Sequence, residues 1–201
     1  MSNRVLILFA HPLFEKSRIN KELINHLPTE STITFHDLYE EYPDFNIDVK
    51  KEKELLLAHD VIIWNHPFYW YSCPALLKQW IDMVLEVGWA YGPGGEALKG
   101  KYVQHVITTG GSQSTYESDG YNRYTINQFL APFSQTVSLC NMHYLPPFVV
   151  HSTHRLTPEE IRGQADEYAA LLSYLQHEAL DYARLSQYTY INDLIKDTKK
   201  L

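Results

Sequence analysis

Val5 to Ala10 (VLILFA) is the segment that most restricts how this chain can fold. Six apolar residues in a row leave no polar face for water. Such a run reads as a strand covered on both faces, as in a parallel sheet with helices above and below. Asp60-VIIWN-Asn65 repeats the pattern, as do Tyr102 to Thr108 and Met142 to Val150, the last interrupted by Pro146-Pro147. Thr32 to His36 adds a fifth strand. Helical spacing fills the intervals. Ile19, Leu23, Ile24 and Leu27 follow Ser17, a candidate N-cap. Lys50 to Leu57 makes a short helix. Leu76, Leu77, Trp80, Ile81, Val84 and Leu85 follow Pro74, with Gly88 as the stop. Tyr124 to Ser138 is expected to be helical, and Thr157-Pro158-Glu159-Glu160 is a capping box with proline in the first turn. Leu38 to Asp48 reads as a loop, and the tail from about Ala179 as further helix ending in Lys199-Lys200. Alternating strands and helices predict a doubly wound α/β sheet with right-handed crossovers, strand order 2-1-3-4-5, in one domain spanning 1–201.

In that order strands 1, 3 and 4 are neighbours, and ligands gather beyond their carboxyl ends. Three unusual loops stand there. After strand 1 come His11-Pro12 and then Ser17-Arg18-Ile19-Asn20 at a helix N-terminus, a ready anion site. Neither a GKS/T phosphate loop nor a GxGxxG fingerprint is present. After strand 3, five of the eight residues from Trp64 to Tyr71 are aromatic, and Pro67-Phe68-Tyr69-Trp70-Tyr71 forms the loop itself. Flat side chains in a strand-end loop suit a planar heteroaromatic ligand. After strand 4 comes Thr108-Thr109-Gly110-Gly111, where two glycines would let the backbone and its N–H groups approach a ligand. Together the loops call for a flat, anion-bearing cofactor, and flavin mononucleotide fits, with its phosphate on the first loop and its ring on the other two.

Composition narrows the field further. A formal net charge of −7 without a basic stripe excludes nucleic-acid binding as the main role. The longest apolar run, at six residues, is too short to cross a bilayer, and no signal peptide is read at the start. Two cysteines, Cys73 and Cys140, build no disulfide framework and fit a reducing cytoplasm. Ten histidines occur without HExxH, HxH or a Cys/His cluster, so no metal site is expected. The four tryptophans lie between Trp64 and Trp89. Trp64 is expected to end a buried strand, Trp70 to wall the flavin and Trp80 to face the core; Trp89, in a Gly-flanked loop, is expected near the partner of the homodimer that the family resemblance below implies.

Tyr42-PDFNID-Asp48, His66-Pro67 through Trp70-Tyr71, Leu76-LKQWID-Asp82, Gly88-WAYG-Gly92, Thr108-TGG-Gly111, Leu145-PPF-Phe148 and Gly163-QA-Ala165 carry a family resemblance over nearly the whole length. The chain resembles the flavodoxin-like NAD(P)H:quinone oxidoreductases. It looks closest to the bacterial branch of ancillary subunits of glutathione-gated potassium efflux systems, the KefF/KefG type. The resemblance implies a cytoplasmic homodimer that binds FMN, with FAD as the alternative. It implies ping-pong hydride transfer from NAD(P)H to a quinone. A second reading is a regulatory subunit docked on a potassium/proton antiporter at the inner face of the cell membrane. Flavin contacts would come from His11, Ser17, Arg18, Ile19, Asn20, Phe68 to Tyr71 and Thr108 to Gly111. Gly110 and Gly111 N–H groups and the Tyr116 hydroxyl would stabilise developing charge. Asn122 stands where eukaryotic quinone reductases carry a histidine, and it can donate a hydrogen bond but not take up a proton. Trp70→Ala or Gly110→Val is expected to lose flavin, and His151→Ala to keep it.

Overall fold

The computed structural model describes residues 2–198; Met1 and the pair Lys199-Lys200 expected to end the tail lie outside the described residues. β1 (Val5–Phe9), β2 (Ile33–Asp37), β3 (Val61–Pro67) and β4 (Tyr102–Thr108) run parallel in the order β2-β1-β3-β4. β5 (His143–Tyr144) and β6 (Phe148–Val150) both pair with β4, so the order ends as expected with the fifth strand divided in two. Pro146 and Pro147 cause the division, because neither has an N–H for the ladder. The Gln104 side chain donates to the Pro146 carbonyl at 2.8 Å and bridges the gap.

Side chains of a strand alternate between faces, so each apolar run feeds two cores at once. Leu6, Leu8, Ile62 and Trp64 go to one face, and Val5, Ile7, Val61 and Ile63 to the other. The first face is covered by α3 (Val49–Leu57), α4 (Ala75–Val84) and α6 (Ala131–Leu139). The second is covered by α1 (Arg18–Asn25), α7 (Pro158–His177) and α9 (Ile191–Thr198). Glu52 of α3 is wholly buried in the first core, where it accepts from Tyr42 Oη (2.5 Å), Trp80 Nε1 (2.7 Å) and His36 Nε2 (2.8 Å). The Tyr42–Asp48 segment is thereby anchored to two helices and a strand.

Three local expectations are corrected. The segment Leu38 to Asp48 opens with α2 (Leu38–Glu41), because Asp37 caps the amides of Tyr39 and Glu40. The expected helix from Tyr124 to Ser138 is two, α5 (Ile126–Phe129) and α6, since Pro132 has no amide to continue the first. The helix after Pro74 ends at Val84 rather than Gly88. The tail holds α8 (Tyr182–Leu185) and α9. Asn192 of α9 holds β6 through both amide atoms: Val149 N donates to Oδ1 (2.9 Å), and Nδ2 donates to Val149 O (3.2 Å). None of the helices among the described residues is long and apolar enough to cross a membrane.

Candidate functional site

A cavity of about 450 Å³ lies beyond the carboxyl ends of β1, β3 and β4. The first-strand loop forms its polar side. Ser17 caps α1: its Oγ accepts from Asn20 N (3.2 Å) and Asn20 Nδ2 (2.9 Å). The same Nδ2 reaches Thr108 Oγ1 at 3.2 Å and so ties α1 to the end of β4. Asn20 is 1 % exposed, and its Oδ1 has no hydrogen-bond partner. Whichever way this amide is turned, one of its two polar atoms is left over in the cavity wall. A buried polar group without a partner costs about 1–3 kcal/mol. A phosphate, which only accepts, relieves this cost when the amide is turned so that the Ser17 and Thr108 hydroxyls donate to Oδ1 and Nδ2–H faces the cavity. Lys16 and Arg18 line the cavity too, and Arg18 is steadied by a 2.8 Å bond to the Leu156 carbonyl. His11 is nearly buried and accepts from Leu13 N at 3.1 Å; burial lowers its pKa, so it sits there as a neutral ring. The N-terminus of α1, a hydroxyl and two cations make this side fit a phosphate.

The aromatic loop forms the other side. Pro67, Phe68 and Tyr69 line the cavity, and Phe68 N donates to Thr108 O at 2.9 Å. Trp70 and Tyr71 then occupy the left-handed region, at φ 48° and 63°. Ser72 N returns to Tyr69 O at 3.0 Å, so the two residues are the centre of a tight turn with both φ values positive. Turns of this kind favour Asn and Gly, and an aromatic residue at each centre costs of order 1 kcal/mol. Trp70 is 93 % exposed and touches neither core. The turn aims its ring outward beside the cavity.

The fourth-strand turn joins the two sides. Gly110 and Gly111 do not have positive φ. A Cβ on Gly110 would meet the His154 ring at 3.1 Å, and one on Gly111 the Tyr116 ring at 3.0 Å. The His154 and Tyr116 rings therefore pack close beside these two backbones. Thr109 is buried and turned inward, with its hydroxyl donating to Gly111 O at 3.0 Å. Tyr116 is buried against Phe68.

The expected site residues thus fall into three groups. His11, Ser17, Arg18, Ile19, Asn20, Pro67, Phe68, Tyr69, Thr108 and Gly110 line one cavity. Tyr71 and Asn122 line a second, of about 430 Å³, with Tyr121, Tyr124 and Phe129; Tyr71 Oη donates to Asn122 Oδ1 at 3.4 Å. Trp70, Thr109, Gly111 and Tyr116 line neither and act as rim and support. Leu13, Lys16, Thr153 and His154 line the first cavity without having been singled out from the sequence. Thr153 and His154 arrive because Ser152 N donates to Gly111 O (2.9 Å) and Thr153 N to Thr109 O (3.1 Å), extending the β4–β6 pairing past the sheet. The available signal was their place after a strand adjacent to strand 4. Trp89, expected near a dimer partner, lies half-buried under the Lys53 ammonium, 4.7 Å from the ring centre. No His/Cys/Asp/Glu group among the described residues is arranged to hold a metal. Burial pushes the Cys73 thiol up to about 11, which leaves it protonated and unreactive.

The family pattern of the flavodoxin-like fold matches residues 3–172. The glutathione-regulated potassium-efflux system ancillary protein KefG of Enterobacter sp. (strain 638) is 46% identical over 170 residues, 85% of this chain and 93% of that protein. The general stress protein 14 of Treponema denticola, solved in complex with FMN, superposes with a TM-score of 0.82 at 38% identity, covering 86% of this chain and 99% of the other. An NADPH-quinone reductase from P. pentosaceus does so with a TM-score of 0.78 at 31% identity, covering 88% and 99%. The chain belongs to the flavodoxin-like family, among the relatives of the potassium-efflux ancillary protein KefG.

Proposed function

We propose that this protein is an FMN-dependent NAD(P)H:quinone oxidoreductase. The observation that carries the reading is the cavity at the strand switch point. It has a leftover buried polar atom on Asn20 at a capped helix N-terminus and a row of aromatic rings opposite. The FMN complex of the Treponema relative and the quinone-reductase name of the P. pentosaceus relative support it. Ser17, Arg18, Ile19 and Asn20 would hold the phosphate, with Lys16 screening its charge. Phe68, Tyr69, Trp70 and the Thr108–Gly111 turn would hold the ring. Bound there, the flavin supplies the hydride-accepting chemistry; the chain supplies orientation and electrostatics. Trp70, Tyr71 and the second aromatic cavity offer flat partners for a nicotinamide and then a quinone, taken in turn from one face. Tyr116, buried against the turn, lends a hydroxyl dipole rather than a proton at neutral pH: burial raises its pKa, and the Thr109 hydroxyl and Gly111 amide only partly oppose this.

The 46% identity to KefG favours a second role on the same scaffold, as a cytoplasmic ancillary subunit of a potassium antiporter, held at the inner membrane face as a homodimer of single-domain chains. Purified protein is expected to be yellow, to release a mass of FMN and to oxidise NAD(P)H when a soluble quinone is added. Colourless protein that gains no flavin on reconstitution overturns the flavoprotein reading. Flavin-loaded protein that is inert toward NAD(P)H and quinone, yet co-purifies with an antiporter, leaves only the ancillary role.

A further inference from the structure

His151 follows β6 and stands behind the Thr108–Gly111 turn. Its Nδ1 lies 3.1 Å from Thr109 Oγ1. With the Thr109 hydroxyl donating to Gly111 O, its Oγ1 accepts from His151 Nδ1–H. The neutral ring then carries its lone pair on Nε2, which is buried and has no hydrogen-bond partner. Two tyrosines enclose the ring, Tyr116 from the turn after β4 and Tyr190 from the tail, each 5.9 Å away between ring centres. Behind it lies a further cavity of about 310 Å³, lined by His151, Gln113, Tyr190, Asn192, Asp193 and Lys196. The ionisable groups that face His151 are therefore Tyr116, Tyr190 and, across the cavity, Asp193 and Lys196; Glu117 lies near enough to Tyr190 to be felt there. Thr109 and Gly111, which touch it most closely, carry no charge.

We propose that His151 is a positioning residue that takes up one proton at Nε2 when negative charge arrives in front of the Thr108–Gly111 turn. The inference rests on the flavin reading above. Burial holds the ring neutral at neutral pH, with its pKa down to about 4 and only the Gly111 carbonyl opposing. A negative charge beyond one turn of backbone raises the proton affinity of such a group. NAD(P)H gives up a hydride and leaves as NAD(P)⁺, so the site gains two electrons, one proton and one negative charge. His151 takes a second proton from water through the rear cavity. The quinone then receives the hydride and one proton from water and leaves as the hydroquinone, and His151 returns its proton to water. The tail takes part because Tyr190 and Asn192 wall the cavity that shields the ring.

The test is the midpoint potential of the FMN-loaded protein measured between pH 5 and 7.5. The native protein is expected to show a slope of two protons per two electrons over the acidic part of this range. His151→Gln, which keeps a donor for Thr109 but cannot titrate, is expected to bind FMN and to show one proton per two electrons. Equal slopes in two yellow proteins overturn the assignment while leaving the flavin reading intact; failure of the native protein to take up FMN overturns both. Nitrogen-15 histidine NMR of the native protein gives a check independent of the variant. The His151 ring is expected to be neutral in the oxidised protein at pH 5.5 and protonated after dithionite reduction, and a ring neutral in both overturns the proposal.

Discussion

The two sides of the main cavity are built in opposite ways. On the first-strand side every element is locally satisfied: Ser17 caps its helix, Asn20 ties that helix to Thr108, and one buried polar atom is left over. On the aromatic side the backbone is held in a costly turn at Trp70 and Tyr71, and one of those rings is almost wholly in water. The first side is a finished socket that lacks one hydrogen bond. The second stores conformational strain that the stacking of Tyr71 on Phe129 offsets at one residue and that no packing offsets at Trp70, and strain of this kind persists where a site uses it. An anchor that fixes the polar end of a ligand, and a hinge-like aromatic turn that meets its flat end, follow from this difference.

Acid should act most strongly, because buried imidazoles stand behind the aromatic side. His66 is wholly buried with Nδ1 on Pro67 O, and burial lowers its pKa to about 4. His105, also buried beside it, is lowered in the same sense. Between pH 6.5 and 4 the unfolded chain takes up protons that the folded chain refuses. Stability is thus full above about pH 6.5 and falls as pH drops through that window, by roughly 3 kcal/mol from His66 alone. Denaturant midpoints from pH 7.5 to 4.5 measure the loss, and His66→Gln should flatten its pH dependence; midpoints that stay level in the native protein break the account. On the polar side, Asn20→Leu removes the amide and should weaken FMN binding by about 10–100-fold, as expected when Nδ2–H faces the cavity and donates to a charged group. Fluorescence titration reads this directly, and an unchanged affinity would show that the socket is not the anchor. The smallest effect separates the two sides most sharply. Trp70→Gly should stabilise the flavin-free protein by about 1 kcal/mol, raising Tm by a few degrees, while weakening FMN. A variant that loses stability instead would mean the turn is not strained.

Much of the polar side was legible because its signals are local. Ser17 three residues before Asn20, after an apolar strand, describes a capped helix N-terminus wherever it occurs. The continuous apolar runs likewise fixed the sheet and its order, since residues covered on both faces leave few topologies. The aromatic loop was visible as composition, but its left-handed turn was not, because aromatic residues have no preference for that conformation. Thr153 and His154 escaped notice because backbone pairing across 41 to 44 residues of sequence brings them in. The inward turn of Thr109 toward His151 is a matter of tertiary packing, which no local pattern in the sequence encodes. The glycines of the same turn were read as places where the backbone meets a ligand; the closeness of the His154 and Tyr116 rings to them was not legible, because it depends on tertiary packing.

The hold of Asn192 on β6 has a consequence outside the site. The outer edge of a sheet is a template on which a stray strand from another chain can pair, and natural proteins blunt such edges. By offering Val149 both a donor and an acceptor, one amide side chain does for that residue what a neighbouring strand would otherwise do. Asn192 lies beyond residue 172, where the family pattern ends. A segment outside the shared fold thus guards this chain against sticking to itself at the point where its last strand is shortest of hydrogen-bond partners.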